Sequence, residues 1–251
     1  MPDVMIVTGG SRGIGAATAI LGAKAGYAVV VNYASNREAA DKVVAAIEAD
    51  GGSAVAVKGD VGVEADILTI FEAADRLGTL TALVNNAGVV DAALPLAEMT
   101  AARLERMFRI NVTGSLLCAR EAVRRMATSR GGKGGGIVNV SSVAAKLGGP
   151  GQYLDYAASK GAIDTFTVGL AKEVIDEGIR VGAVRPGIID TDIHASGGQP
   201  NRVAELSPGL PMRRAGTAQE VAKAILWLLS DEASYSTGAI IDVSGARSIL
   251  P

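Results

Sequence analysis

Seven short runs of small and branched apolar residues recur along the chain, each separated from the next by a longer stretch with helical spacing, and this alternation narrows the possible folds more than any other feature. The runs are Val4–Val7, Ala28–Val31, Ala54–Val57, Leu80–Val84, Ile137–Val140, Ile179–Val184 and Ala239–Ile241. Each is apolar nearly throughout rather than at every second residue, so helices are expected on both faces of the strands. Helical length and spacing are read at Ile14–Ala25, Arg37–Ala49, Glu64–Leu77, Ala101–Ala127, Tyr156–Glu177 and Ala218–Leu229. Thr100 and Thr217 stand where N-caps are expected, and Glu220 completes a capping box with Thr217. The pattern predicts an α/β fold, a doubly wound parallel sheet of seven strands.

No composition break divides the 251 residues, so a single domain over 1–251 is expected. The formal net charge of −2 supplies no basic field for nucleic acid. Cys118, the one cysteine, cannot close an internal disulfide and reads as a buried thiol on a helix. Met1-Pro2-Asp3-Val4 lacks the basic and apolar regions of a secretory signal, and the longest strongly apolar stretch, Ala224–Leu229, is far below the ~20 residues of a membrane span. A cytoplasmic location, no membrane attachment and no metal site are expected. The low-complexity stretch Gly131–Gly136 contains Gly-Lys but lacks the Ser/Thr of a phosphate-binding Walker loop, and reads as a flexible connector.

The loop after the first strand carries the first site argument. Gly9 ends the strand region while Gly13 and Gly15 enter a helix, so free backbone N–H groups and the positive end of a helix dipole meet at one point. An anionic group could approach the main chain closely there. The segment Gly9-Gly10-Ser11-Arg12-Gly13 also has the form of a hydrolase nucleophile elbow, with Asp190 and His194 downstream. Only one strand precedes Ser11, however, and His194 follows a Pro-Gly loop, which disfavours hydrolysis.

A second group gathers later in the chain. Tyr156 and Lys160 are four apart on a helix and therefore one turn apart on one face, where an ammonium can draw down a phenol's pKa. Ser142 lies just past the fifth strand, on the sheet edge where open α/β folds bind ligands. Asn111 shares a helical stripe with Leu104 and Phe108, which aims its amide at the interior.

With Thr8-Gly9-Gly10-Ser11-Arg12-Gly13-Ile14-Gly15, Asp60-Val61, Asn85-Asn86-Ala87-Gly88, Asn111-Val112-Thr113-Gly114, Ser142, Tyr156-x-x-x-Lys160 and Pro186-Gly187-Ile188-Ile189-Asp190-Thr191 all in register, the chain resembles the short-chain dehydrogenase/reductases over essentially its whole length. The resemblance implies a Rossmann-type sheet of order 3-2-1-4-5-6-7 and a homotetramer, or a homodimer, whose interfaces include the helix bearing Tyr156. It implies an oxidoreductase interconverting a carbonyl and a secondary alcohol. Tyr156 is then the general acid/base, Lys160 favours its ionised form and binds the nicotinamide ribose, Ser142 donates to the substrate oxygen, and Asn111 holds a water of a proton relay. A catalytically silent nucleotide-sensing module would show a broken set, whereas all four residues are present.

The same resemblance assigns the cofactor contacts. Gly9, Ser11, Arg12, Gly13, Ile14 and Gly15 form the phosphate loop, Asn32, Tyr33, Ala34 and Ser35 follow the adenosine ribose, Asp60 and Val61 contact the adenine, and Asn86, Ala87 and Gly88 pass beside that ribose. Pro186, Gly187, Ile189 and Thr191 are expected beside the nicotinamide. The second strand ends without the carboxylate that selects a free ribose 2′-OH, and Arg12 can pair with a 2′-phosphate, so NADP(H) is preferred over NAD(H).

Substrate is less closely marked. The segment between Ser142 and Tyr156 is one residue longer than in many family members, and Tyr153 within it is expected to line the pocket. Residues 188–212 read as a long irregular substrate lid. Similarity to 3-oxoacyl-carrier-protein reductases would predict a basic patch, for which Arg124, Arg125, Arg130, Lys133 and Lys172 are candidates; similarity to sugar 1-dehydrogenases rests on the Val-Asn-Tyr-Ala-Ser run after the second strand.

Overall fold

The computed structural model describes residues 1–249 and, at His194, the backbone alone, so the role considered for the His194 side chain lies outside the described residues. Seven strands, β1 (Asp3–Val7), β2 (Ala28–Tyr33), β3 (Ala54–Lys58), β4 (Thr79–Asn85), β5 (Gly135–Val140), β6 (Ile179–Pro186) and β7 (Ile240–Val243), form one sheet in the order β3-β2-β1-β4-β5-β6-β7. Every neighbouring pair is parallel.

Alternate residues of β1 show why the runs are apolar throughout. Val4 and Ile6 pack with Ile67, Ile70 and Phe71 of α3 (Glu64–Leu77) and with Cys118 and Met126 of α5 (Ser115–Met126). Met5 and Val7 pack on the other face with Ala19 of α1 (Gly13–Lys24), Val43 and Ile47 of α2 (Arg37–Ala49), and Val221 and Ile225 of α10 (Ala218–Leu229). A period of two in side-chain direction thus serves two separate cores, and neither face of the strand can be polar. Gly22 lets α1 approach closely, since a Cβ there would stand 2.7 Å from the Met5 sulfur.

The expected helix over Ala101–Ala127 is interrupted. α4 (Ala101–Phe108), capped by Thr100, passes into a π-helical turn at Arg109–Gly114 before α5 begins. The wider turn shifts the helical frame, so the expected stripe of Leu104, Phe108 and Asn111 does not form: Asn111 is fully buried and meets Met107, while Phe108 is exposed. The Thr217 capping box is present. The helix expected from Tyr156 starts two residues earlier, as α7 (Leu154–Glu173).

Two further segments are more ordered than expected. Gly131–Gly136 is fastened by backbone bonds from Gly132, Gly134 and Gly135 to the carbonyls of Ala127, Met126 and Gly178, and its last two residues belong to β5, so it is no loose connector. Residues 188–212 contain α8 (Ile193–Ser196), α9 (Arg202–Leu206) and a 3-10 turn at Ser207–Gly209 rather than irregular chain. A short α6 (Ala144–Leu147) occupies the segment after Ser142. Among the described residues no helix is long and apolar enough to cross a membrane.

Candidate active site

The C-terminal ends of β1, β4, β5 and β6 converge where the strand order reverses between β1 and β4, the crevice in which doubly wound sheets bind ligands. The glycine loop after β1 is tied to the end of β4. The Thr8 hydroxyl accepts from the backbone N–H groups of Asn86 and Ala87 at 3.0 Å each, and the Asn86 amide donates to the carbonyls of Thr8 and Gly9 at 2.8 and 3.0 Å. Gly9 and Gly13 have φ of 61° and 54°, and a Cβ on Gly15 would lie 2.3 Å from the Gly9 carbonyl oxygen. The loop therefore admits no side chains at these three positions.

On the far side of this loop, Asn32 is buried, accepting from the Gly9 N–H and donating to the carbonyls of Val57 and Gly59. Its side chain braces the loop, and the Tyr33 side chain belongs to the core, so neither turns outward as expected of a ribose contact. Ala34 and Ser35 are exposed at the strand end. Asp60 caps its own turn by accepting from the Gly62 N–H and pairs with Arg109, with Val61 buried beside it. Arg12, which precedes the first turn of α1, is exposed and has no ion pair among the described residues, whereas Arg37 is paired with Asp41.

The other wall is built by β5 and α7. Ser142 accepts from the Ala144 N–H at 3.1 Å and keeps its own proton to give. The Lys160 ammonium donates to the Val140 carbonyl at 2.7 Å and lies 5.7 Å from the centre of the Tyr156 ring. Asn111 accepts from the Val89 N–H at 2.8 Å and donates to the Val89 carbonyl and to Ser159 Oγ, which in turn donates to the Tyr156 carbonyl. Gly88 closes the arrangement: a Cβ there would stand 3.4 Å from Asn111 Oδ1 and 3.5 Å from Lys160 Nζ. Ser142, Tyr156, Lys160 and Asn111 are thus brought together, Asn111 from behind.

The electrostatics differ from the expectation that Lys160 pulls the phenol down. Burial pushes Tyr156 above its ordinary value, and a hydrogen bond with Ser142 draws it back only in part. Tyr156 as a residue is partly accessible, but its hydroxyl sits where the phenolate loses its solvation. Lys160 is itself pushed down by burial to about 8, with Asp164 opposing. Desolvation acts against both charged forms at once, and the protein's own groups leave Tyr156 protonated.

A cavity of about 360 Å³ opens in front of these groups. Of the expected contacts, Ile14, Asn86, Gly88, Ser142, Tyr153, Tyr156, Lys160, Pro186, Gly187, Ile189 and Thr191 line it. Asn111 does not, and Ser11, Arg12 and the residues at the ends of β2 and β3 lie beyond its edge.

A family model described as enoyl-(acyl carrier protein) reductase matches residues 9–246. The chain belongs to the short-chain dehydrogenase/reductase superfamily. It is similar to an uncharacterized oxidoreductase of Escherichia coli, YgfF, with 54% identity over 245 residues that cover 97% of this chain and 99% of the relative. A 3-oxoacyl-[acyl-carrier-protein] reductase of Synechocystis sp. is 39% identical over 246 residues, covering 97% and 96%. The crystal structure of a dehydrogenase/reductase from Sinorhizobium meliloti superposes with a TM-score of 0.88 at 32% identity, covering 97% of this chain and 94% of the other. The hydrolase reading of Ser11 is thereby set aside.

Two features of this short-chain dehydrogenase/reductase were not read in the sequence. Arg103 forms a two-pronged ion pair with Asp155, whose Oδ1 also accepts from the Tyr156 N–H, so a buried carboxylate fixes the first turn of α7. Arg202 and Arg247 line the cavity. Neither arginine stands in a motif, and their approach depends on the path of chain after β6. The basic patch considered for an acidic carrier is largely spent: Arg124 pairs with Glu121, Arg125 with Asp75 and Glu121, and Lys133 stands 3.8 Å from Asp3.

Proposed function

We propose that the protein is an NADP(H)-dependent oxidoreductase that interconverts a carbonyl and a secondary alcohol, with Tyr156 as general acid/base. The convergence of Ser142, Tyr156 and Lys160 on one cavity bordered by the glycine loop carries this reading. The residues fit a nicotinamide nucleotide, because Gly9, Gly13 and Gly15 let the loop fold tightly against Asn86, Ala87 and Thr191 at the N-terminus of α1, where an anionic group is favoured, and Gly88 places no side chain beside Lys160. When bound, that cofactor supplies the hydride chemistry. Ile14, Pro186, Gly187, Ile189 and Thr191 would border its nicotinamide end, and Asn86, Ala87, Asp60 and Val61 its adenosine.

The chain's own part is proton and charge management. Burial keeps the proton on Tyr156, which then passes from its Oη to the substrate oxygen during reduction, while Ser142 donates to the same oxygen as charge develops there. Lys160 would hold ribose hydroxyls and offset the charge left on Tyr156 once its proton has gone. Asn111 clamps Val89 and Ser159 and would support a water between Lys160 and solvent. Arg12, exposed and without an ion pair among the described residues, favours a 2′-phosphate, as does a second strand that ends without a carboxylate. A cytoplasmic homotetramer, or a homodimer, is part of the same proposal, supported by apolar Phe108, Leu116, Leu154 and Val168 exposed on α4, α5 and α7.

The test follows NADPH absorbance across ketones, aldehydes and a 3-oxoacyl thioester, with glucose offered to the oxidised cofactor. Turnover that falls about 10²- to 10⁴-fold in Tyr156→Phe supports the acid assigned. Turnover unchanged in that variant removes it.

A further inference from the structure

Several cations on the surrounding elements already have a carboxylate. Lys146 holds Asp242 at 2.7 Å, Arg185 holds Asp164 and Asp242, and Arg103 holds Asp155. Of the three cations that line the cavity, Lys160 is held by the Val140 carbonyl, while Arg202 and Arg247 have no acidic partner among the described residues. Arg202 lies over the Tyr153 ring at 5.2 Å and donates only to the neutral side chains of Gln152 and Gln199. Arg247 is partly buried, and no side-chain partner accepts from its guanidinium among the described residues.

The turn that delivers Arg247 is held against its backbone preference. Ala246 has φ of 68°, a left-handed conformation that costs a side-chain-bearing residue stability. Ser244 and Ser248 hydrogen-bond each other, and Ser248 donates to Asp242, which pins the turn to the end of β7. Asp242, the nearest acid on that strand, is therefore committed elsewhere. Burial chiefly, and the neighbouring Arg202 in addition, push Arg247 below its ordinary value. A guanidinium remains charged under such conditions, and a partly desolvated one without a counterion is relieved by whatever anion enters.

Resting on the cavity being the carbonyl-reduction site, we infer that the substrate is a carbonyl compound bearing a carboxylate or phosphate, and that Arg247, helped by Arg202, binds that anion. A forked guanidinium matches either oxyanion in two-pronged fashion, so the two share one recognition chemistry. Apolar walls at Leu147, Ile188 and Ile193 would take the carbon skeleton between the arginines and Tyr156.

The experiment titrates the full chain, saturated with NADP⁺, by calorimetry with two matched pairs: acetoacetate against methyl acetoacetate, and dihydroxyacetone phosphate against dihydroxyacetone. At least one anion should bind about 10- to 100-fold more tightly than its neutral partner. That preference should collapse in Arg247→Gln and be partly restored in Arg247→Lys, with thermal midpoints recorded to show that the variants fold. The preferred pair identifies carboxylate or phosphate as the source. Equal or absent binding across both pairs, or a preference that survives Arg247→Gln and Arg202→Gln together, overturns the inference. NADPH oxidation measured in parallel separates the two readings: an anion preference without turnover sustains the binding role and counts against the hydride-transfer reading.

Discussion

The Lys160 ammonium is anchored to the carbonyl of Val140, the last residue of β5, and not to a carboxylate. A dipole compensates a buried charge less well than an anion does, which is why burial holds Lys160 down near 8. Tyr156 beside it is raised, so the proton needed for reduction stays in place over the range in which Lys160 loses its own. Reductive kcat/KM should therefore be level below pH about 8 and fall, about tenfold per unit, as pH rises beyond it. The measurement is a pH profile of NADPH oxidation with the best carbonyl found, and Lys160→Met should lower the plateau and remove this break. A wild-type profile that rises through pH 8 would reverse the assignment.

Among the described residues Arg12 has no acidic partner, while Arg37 is engaged by Asp41. The positive charge free to meet a 2′-phosphate is thus a single side chain in the glycine loop. Arg12→Ala should reduce the ratio of NADPH to NADH affinity by about 10- to 100-fold, equivalent to ~1.4–2.8 kcal/mol. Fluorescence titration of both reduced cofactors measures it, and an unchanged ratio would locate the preference elsewhere.

Cys118 is fully buried in the core beneath β1, and burial lifts its thiol to about 12. Access and ionisation both oppose modification. A thiol reagent at pH 8 should label the folded protein only as fast as it opens globally, and labelling should become immediate in denaturant. Rapid labelling of native protein would show that α5 detaches locally.

The sheet was legible because its signal is local and repeated: each apolar run is one strand, whereas the order of the strands was available only through the family resemblance. Ser142, Tyr156 and Lys160 were legible for the same reason, being set by a strand end and a helical turn. Asn111 was read beside the wrong neighbours, Leu104 and Phe108: its burial against Met107 follows ordinary i,i+4 spacing, and the π turn after Phe108 is what the sequence did not announce. The downward pull expected on Tyr156 failed because proximity in sequence indicates a charge nearby but not the desolvation that opposes it. Arg202 and Arg247 line one cavity although one precedes β7 and the other follows it, a tertiary fact with no local signature.

The Arg103–Asp155 pair belongs to that last category and makes a demand on stability. The Arg103 and Asp155 side chains are 9% and 0% exposed, respectively, and Asp155 carries both the arginine and the N–H of Tyr156. Neutralising Asp155 leaves a buried guanidinium without its counter-charge, its bond to the Ala92 carbonyl remaining, whereas removing both partners leaves a gap but no isolated charge. Asp155→Asn should destabilise the fold by roughly 3 kcal/mol, and Arg103→Leu combined with Asp155→Asn by less than the sum of the two single changes. Chemical denaturation of the set, read as a double-mutant cycle, measures the coupling. Because Asp155 also fixes the first turn of α7, kcat of the single variant should fall while the apparent affinity for NADPH changes little. Additive single losses with kcat intact would mean that the pair is solvated and that α7 is positioned by its packing alone.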